Sequence, residues 1–368
     1  MTATTAGRLW FYRTVALCVF LLTSKWASAQ TPSPALLVLE KSDRSMAIVD
    51  PASLKIVARV PVGEDPHEIV ASPDGKVAYI SNYGGADSNL NTISVADLVA
   101  QKPLAPILLG ALRSPHGLAF AGGKLYFTVE TNKAFGRYDP ATQTIDWILG
   151  TGQDRTHMVN VSESLDRIVT SNVNSGTISI IEQVMPSFPP QYRPAAGGPP
   201  PGGPRKTWEV TSVPSGRGCE GFDVSPDGKE IWAANAQDGT VTIIDIASKK
   251  AMQTFAVSVE HANRLKFTPD GKRVLISGLG GGPPGSAPAV ASKGSNLSVL
   301  DAATHKEIKQ LNVGGGSAGI LIVADGSRAF VAVSEKDKVA VIDLKTLAIT
   351  GEIPTGKQPD GLAWAQRK

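Results

Sequence analysis

Cysteine is nearly missing from this 368-residue chain. Only Cys18 and Cys219 occur. Cys18 falls inside a leader read below as removed, so no internal disulfide is expected and stability must come from the core. No CxxCH motif is present, which excludes c-type haem attached by the usual route. After residue 29 no run of about 18 apolar residues appears, so no membrane span is expected there. A surplus of charge is also lacking. Without Arg8, Arg13 and Lys25, the only charged residues of 1–29, the chain carries 33 Lys and Arg against 33 Asp and Glu. Such balance gives no electrostatic reason to expect nucleic acid or anionic lipid as a partner. P-loop, HExxH, EF-hand and paired-cysteine zinc spacings do not occur either.

The first feature that is present is a leader. Arg8 and Arg13 precede the apolar run VALCVFLL (15–22), and Ala27-Ser28-Ala29 forms an A-x-A cleavage site before Gln30. Residues 1–29 therefore read as a secretory signal peptide, and the protein as exported, periplasmic or secreted. Residues 30–368 are long enough to bury a large core as one domain.

That domain repeats itself. PHEIVASPDGKVAYISN (66–82), PHGLAFAGGKLYFT (115–128) and CEGFDVSPDGKEIWAAN (219–235) share one grammar. Aligned on the slot of His67, the recurring positions are His67, His116, His157, Glu220, Asn263, Ala318 and Asp360, spaced by 49, 41, 63, 43, 55 and 42 residues. A base period of about 42 is the length of a four-stranded propeller blade. Within each unit an apolar run meets a turn such as SPDG (72–75, 225–228) or TPDG (268–271), then three further β-branched runs follow. In that turn Pro presets φ, Asp bonds back to the backbone and Gly takes the left-handed position. No amphipathic helical period competes with the strands. Residues 36–63 supply only the second to fourth strands of a unit, and QPDGLAWA (358–365) only a first. The pattern predicts an all-β, seven-bladed propeller of four-stranded antiparallel blades, the first closed by the C-terminal strand.

The blade pattern in HEIVASPDGKVAYISN, in GCEGFDVSPDGKEIWAANAQDGTVTIID and in KVAVIDLKTLAITGEIPTGKQPDGLAWA resembles the YVTN family of bacterial and archaeal β-propeller repeats. The resemblance covers nearly all of residues 30–368, with AGGK and SESLD replacing SPDG in blades 3 and 4. It implies the propeller fold, which serves binding proteins, lactonases and redox subunits alike and does not choose among them.

Two Pro/Gly-rich insertions interrupt the pattern, 183–206 between the third and fourth strands of blade 4 and 278–295 between the second and third strands of blade 6. The first reads as a tolerated surface loop. The second emerges on the rim that carries His67, where a flap and a plain surface loop are both open readings. GGGSAG (314–319) satisfies both GxGxxG and GxSxG, yet a strand-like run, ILIVADG, follows it instead of the helix both motifs require.

The slot residues are the best site signal. Each is expected to begin an innermost strand, so all seven converge on one mouth of the channel. His67, His116, His157, Glu220 and Asp360 are ligands or acid–base groups by type, and Asn263 is polar. Three histidines and a carboxylate suit one divalent transition metal with a position left for water or substrate. A wet channel lining explains the same residues without chemistry, and an exposed His116 would then tolerate replacement. Cys219, beside Glu220, is expected to point away. Asn160, Asp223 and Lys266 either extend the lining or bond within their own blades, and His305 is expected in a solvated turn. The leading function is an exported monomeric binding or scaffolding propeller whose mouth or rim engages a protein, glycan or small molecule. The alternatives are a metal-assisted, lactonase-like hydrolase or lyase with Glu220 as candidate general base, and a periplasmic redox-associated metal-binding propeller.

Overall fold

The computed structural model describes residues 30–84, 90–185, 206–280 and 296–368. The leader 1–29 and most of both insertions (186–205 and 281–295) lie outside the described residues. The chain forms seven four-stranded antiparallel sheets. Six are continuous in sequence. The seventh, blade 1, places Pro359–Ala365 innermost against Ala35–Glu40, Ser45–Asp50 and Lys55–Pro61, with Leu36 opposite Trp364 and Val38 opposite Leu362. The shared terminal blade follows from the sequence fragments at the two ends. Among the described residues no helix is long and apolar enough to cross a membrane.

Local chemistry sets each turn between first and second strands. In blade 2, Ser72 Oγ donates to Asp74 Oδ1 at 2.6 Å, Ser72 Oγ accepts from Val77 N at 3.0 Å, and Gly75 adopts φ 66°. Blade 4 reproduces this turn without glycine: Ser164 and Ser162 bond Asp166, and Leu165 takes the left-handed position at φ 60°. Blade 3 uses two residues, Gly122 and Gly123, both at positive φ, as a tight hairpin demands. The same connection is thus made by a longer turn, with or without glycine, and by a two-residue hairpin.

The core lies between neighbouring blades. Leu37, Leu39, Met46 and Ile48 of blade 1 pack with Ile69, Ala78 and Ile80 of blade 2, and Trp232 of blade 5 packs with Leu265, Val274 and Ile276 of blade 6. Second strands are almost wholly buried, as in Val77–Asn82, Lys124–Val129 and Glu230–Asn235, which is why they read as near-continuous apolar runs.

Two features aim the slot residues inward. In six blades a residue in the left-handed region (Gln358, Asp65, Ser114, Arg155, Gly218, His261) stands two positions before the slot. The ladder then breaks register across the slot itself, as between Pro66 and Ile69, Pro115 and Leu118, or Thr156 and Val159. Such a bulge turns a side chain out of the pleat. The glycine after the slot has a packing reason as well. A Cβ on Gly117 would meet the carbonyl oxygen of His157 at 2.5 Å, and one on Gly361 the carbonyl of His67 at 2.5 Å. A hydroxyl on the second strand ties this contact: Thr128 Oγ1 accepts from Gly117 N at 2.8 Å and donates to His157 O at 2.6 Å in the next blade. Position of the slot is therefore set by blade-to-blade backbone packing.

Candidate metal centre at the channel mouth

Residues His67, His116, His157, Glu220, Asn263, Ala318 and Asp360 line one cavity of about 260 Å³ together with Lys41, Arg155 and Arg264. The structure brings the seven slots together. It does not bring in Cys219, which is buried in the apolar layer between blades 4 and 5, where burial pushes its thiol up to about 12. Nor does it bring in His261, whose Nδ1 bonds Gly280 O at 2.8 Å, or His305, which stacks on Phe255 and meets Trp232 edge-on. His305 stands in the turn between Leu297–Asp301 and Glu307–Leu311, half-buried, with aromatic side chains of blade 5 against part of its ring. Asp223 bonds both Lys266 at 3.3 Å and Phe267 N at 3.0 Å, joining blades 5 and 6, and Asn160, Asp223 and Lys266 line a second chamber of about 330 Å³ further along the channel.

A freely wetted mouth does not hold for two of the histidines. His116 is 1 % exposed and His157 2 %. Their rings lie 3.6 Å apart at 32°, and the His67 ring sits 4.9 Å from His116. Inward rotation at the bulge buries these rings against one another, which the strand pattern alone did not show.

The three histidines differ in what their nitrogens do. Lys41 Nζ donates to His67 Nε2 at 3.0 Å, and the other nitrogen, Nδ1, donates to Asp65 O at 3.1 Å. Both nitrogens of His67 are therefore engaged. Lys41 also pairs with Asp360 at 3.4 Å and Asp65 at 3.5 Å. His157 Nδ1 donates to Glu130 Oε1, which places the lone pair on Nε2. That nitrogen, and His116 Nδ1, are buried with no hydrogen-bond partner. Buried polar atoms are nearly always satisfied, so two orphans on neighbouring rings call for an explanation.

Glu130 follows the second strand of blade 3 and is buried beneath His157. Burial pushes its carboxyl up, but His157, Arg155 and Tyr83 outweigh that and hold it below the usual carboxylate range. Tyr83 Oη donates to it at 2.6 Å and Arg155 Nε at 3.2 Å. His116, Glu130 and His157 offer donor atoms within 4.8 Å of one another, and all three are buried. Sequence reading missed Glu130 because it is not a slot residue. Its signal was positional: the residue directly after a second strand shares the rim of the slots, where Lys41 and Tyr83 also stand. Glu220 accepts from Asn263 Nδ2 and lies 3.8 Å from Arg264 Nη1 and 3.9 Å from Arg155 Nη1. Below it, Arg264 Nη2 donates to Glu68 at 2.9 Å, a strut from blade 6 to blade 2 that borders both chambers.

Burial pulls His116 well below its ordinary value, and His157, His67, Arg264 and Arg155 push the same way. Burial and Lys41 likewise lower His67 against Asp360 and Asp65. Both imidazoles are thus neutral at pH 7, the form that donates a lone pair. The unfolded chain takes up these protons near pH 6.5 while the folded chain refuses them, so metal-free protein should lose stability as pH falls below about 6.5. Urea midpoints from pH 7.5 down to 5.5 should fall, by up to about 1.4 kcal/mol per pH unit for each histidine. The fall should be shallower in His116→Gln. A flat profile would contradict the burial of neutral imidazoles.

Fold and site define a seven-bladed β-propeller with a polar pocket at one channel mouth. No protein family matches the chain, and no curated protein matches it in sequence. Solved structures share the fold. A protein of unknown function from Desulfotomaculum acetoxidans DSM 771 matches with TM-score 0.68 and 11% identity, over 91% of this chain and 100% of that one. A candidate 6-phosphogluconolactonase from Bacteroides fragilis matches with TM-score 0.66 and 14% identity, over 91% and 98%. Hydrazine synthase of Kuenenia stuttgartiensis matches with TM-score 0.62 and 18% identity, over 82% and 91%. At these identities the likeness is one of fold.

Proposed function

We propose that the chain is an exported, YVTN-type binding propeller whose channel mouth holds one divalent transition metal ion through His116 Nδ1 and His157 Nε2. The observation that carries this reading is the pair of buried imidazole nitrogens without partners. The surrounding chemistry fits. Imidazole donors suit zinc, copper, nickel and iron. A ligating histidine commonly gives its other N–H to a carboxylate, which fixes tautomer and ring orientation, and Glu130 stands in that relation to His157. His67 is a poorer ligand because Lys41 occupies its Nε2, and Glu220 is engaged by Asn263.

When bound, the ion supplies a Lewis-acidic centre with positions left open for a ligand. The protein's own residues orient and exclude: Glu130, Tyr83 and Arg155 fix His157, and the stacked rings keep water from the donors. Metal-assisted hydrolysis is the second reading, favoured by the cavity-lining carboxylate Glu220 as a candidate base and by the lactonase-like fold relative.

Calorimetric titration of metal-free protein with zinc tests the proposal. One equivalent should bind. His116→Ala and His157→Ala should each weaken binding at least about tenfold, about 1.4 kcal/mol, and Glu130→Gln by about 10- to 100-fold. His67→Ala should bind nearly as the parent does. No binding by the parent, or binding lost only in His67→Ala, would overturn it.

A further inference from the structure

Resting on that metal site, the geometry points to a small carboxylate anion as the ligand of the mouth, with one carboxylate oxygen at the metal position and the other on the guanidinium of Arg155. The cavity sets the class. Three cationic side chains line it, Lys41, Arg155 and Arg264, against two carboxylates, Glu220 and Asp360. Most of this charge is already matched. Lys41 is held by Asp360, Asp65 and His67. Arg264 spends Nη2 on Glu68 and Nη1 on Asn263.

Arg155 is paired as well, but its two carboxylates leave it the most exposed of the three. It donates to Glu130 through Nε, and its Nη1 stands 3.9 Å from Glu220, beyond hydrogen-bond reach. Its side chain is 31 % exposed, against 22 % for Lys41 and 11 % for Arg264. It is therefore the cation an entering ligand meets. Backbone geometry couples it to the metal ligand, because Arg155 holds the left-handed position (φ 58°) two residues before His157. Guanidinium presents a planar fork that matches a carboxylate, and a partly desolvated, charge-assisted pair of this kind is strong. A cationic ligand would face Arg155 and the metal together, and a neutral one would leave the outer edge of the fork unmatched. Size limits the ligand further: about 260 Å³ lies below the roughly 300–1,000 Å³ of pockets for drug-sized ligands, which suits an acid of a few carbons.

The test uses the full chain loaded with cobalt(II), whose visible spectrum reports a change of ligand. Succinate should shift the spectrum saturably, while its uncharged diamide, succinamide, and inorganic phosphate should not at the same concentration. Arg155→Gln, compared with the parent at cobalt concentrations that saturate each protein's own site, should bind succinate at least about tenfold more weakly, and Arg155→Lys should recover part of the loss. Cobalt bound without any succinate response overturns the carboxylate inference and leaves the metal site standing. A response to phosphate alone, or an Arg155→Gln variant that binds succinate as the parent does, also overturns it. Failure to bind cobalt at all overturns both.

Discussion

Deletion of residues 357–368 is expected to abolish cooperative folding. The segment removes a single strand, Pro359–Ala365, but that strand closes the ring. Its loss would strip the partner from Ala35–Glu40, which is buried along its whole length, and open an unpaired edge beside Leu36 and Val38. A flat, apolar, unpaired strand invites association with another chain. The cut also removes Asp360 from the mouth and the Gly361 backbone that packs on His67 O. Size-exclusion chromatography and a denaturant titration check this outcome. Aggregation, or loss of a sigmoidal transition, is expected; a soluble monomer unfolding cooperatively would show that the ring closes without its shared blade.

The second large effect is expected at the strut across the channel. Arg264→Leu should cost about 3–5 kcal/mol, the usual consequence of leaving buried charge unpaired. Glu68, Glu220 and Asp360 all face this guanidinium. Burial pushes the Glu68 carboxyl up even beside Arg264, and Asp360 adds to the rise, so removing the cation leaves Glu68 without its ion-pair partner, while Asp360 keeps Lys41. The double change Arg264→Leu with Glu68→Leu should recover part of the loss, since apolar side chains can replace a buried pair with little penalty. Urea unfolding of the two variants measures both numbers. A loss under about 1 kcal/mol in the single variant would mean that the pair behaves as a surface pair screened by channel water.

Much of the fold was legible because the blade grammar is local. SPDG and the apolar second strand each solve a short-range problem, so they recur visibly even where Leu165 replaces a glycine. The split ends at 36–63 and 358–365 revealed the closing blade for the same reason. The site was legible only in part. His67, His116, His157, Glu220, Asn263 and Asp360 were found because they share one position in the repeat. Their division of labour was not, because it depends on residues outside that position. Lys41 engages His67, Glu130 orients His157, and Arg264 anchors the channel beneath Glu220. Lys41, Tyr83 and Glu130 each follow directly on a second strand and meet the slots only once neighbouring blades are packed. Burial of His116 could not be read either, since one bulge decides whether a ring faces solvent or the next imidazole.

Anomalous diffraction at the zinc edge from crystals of the zinc-loaded protein tests the central claim most directly. One strong peak at the channel mouth is predicted, about 2.0–2.1 Å from His116 Nδ1 and His157 Nε2, with Glu130 still bonded to His157. No peak there, or a peak on His67 with His116 and His157 still stacked and unliganded, would contradict the account.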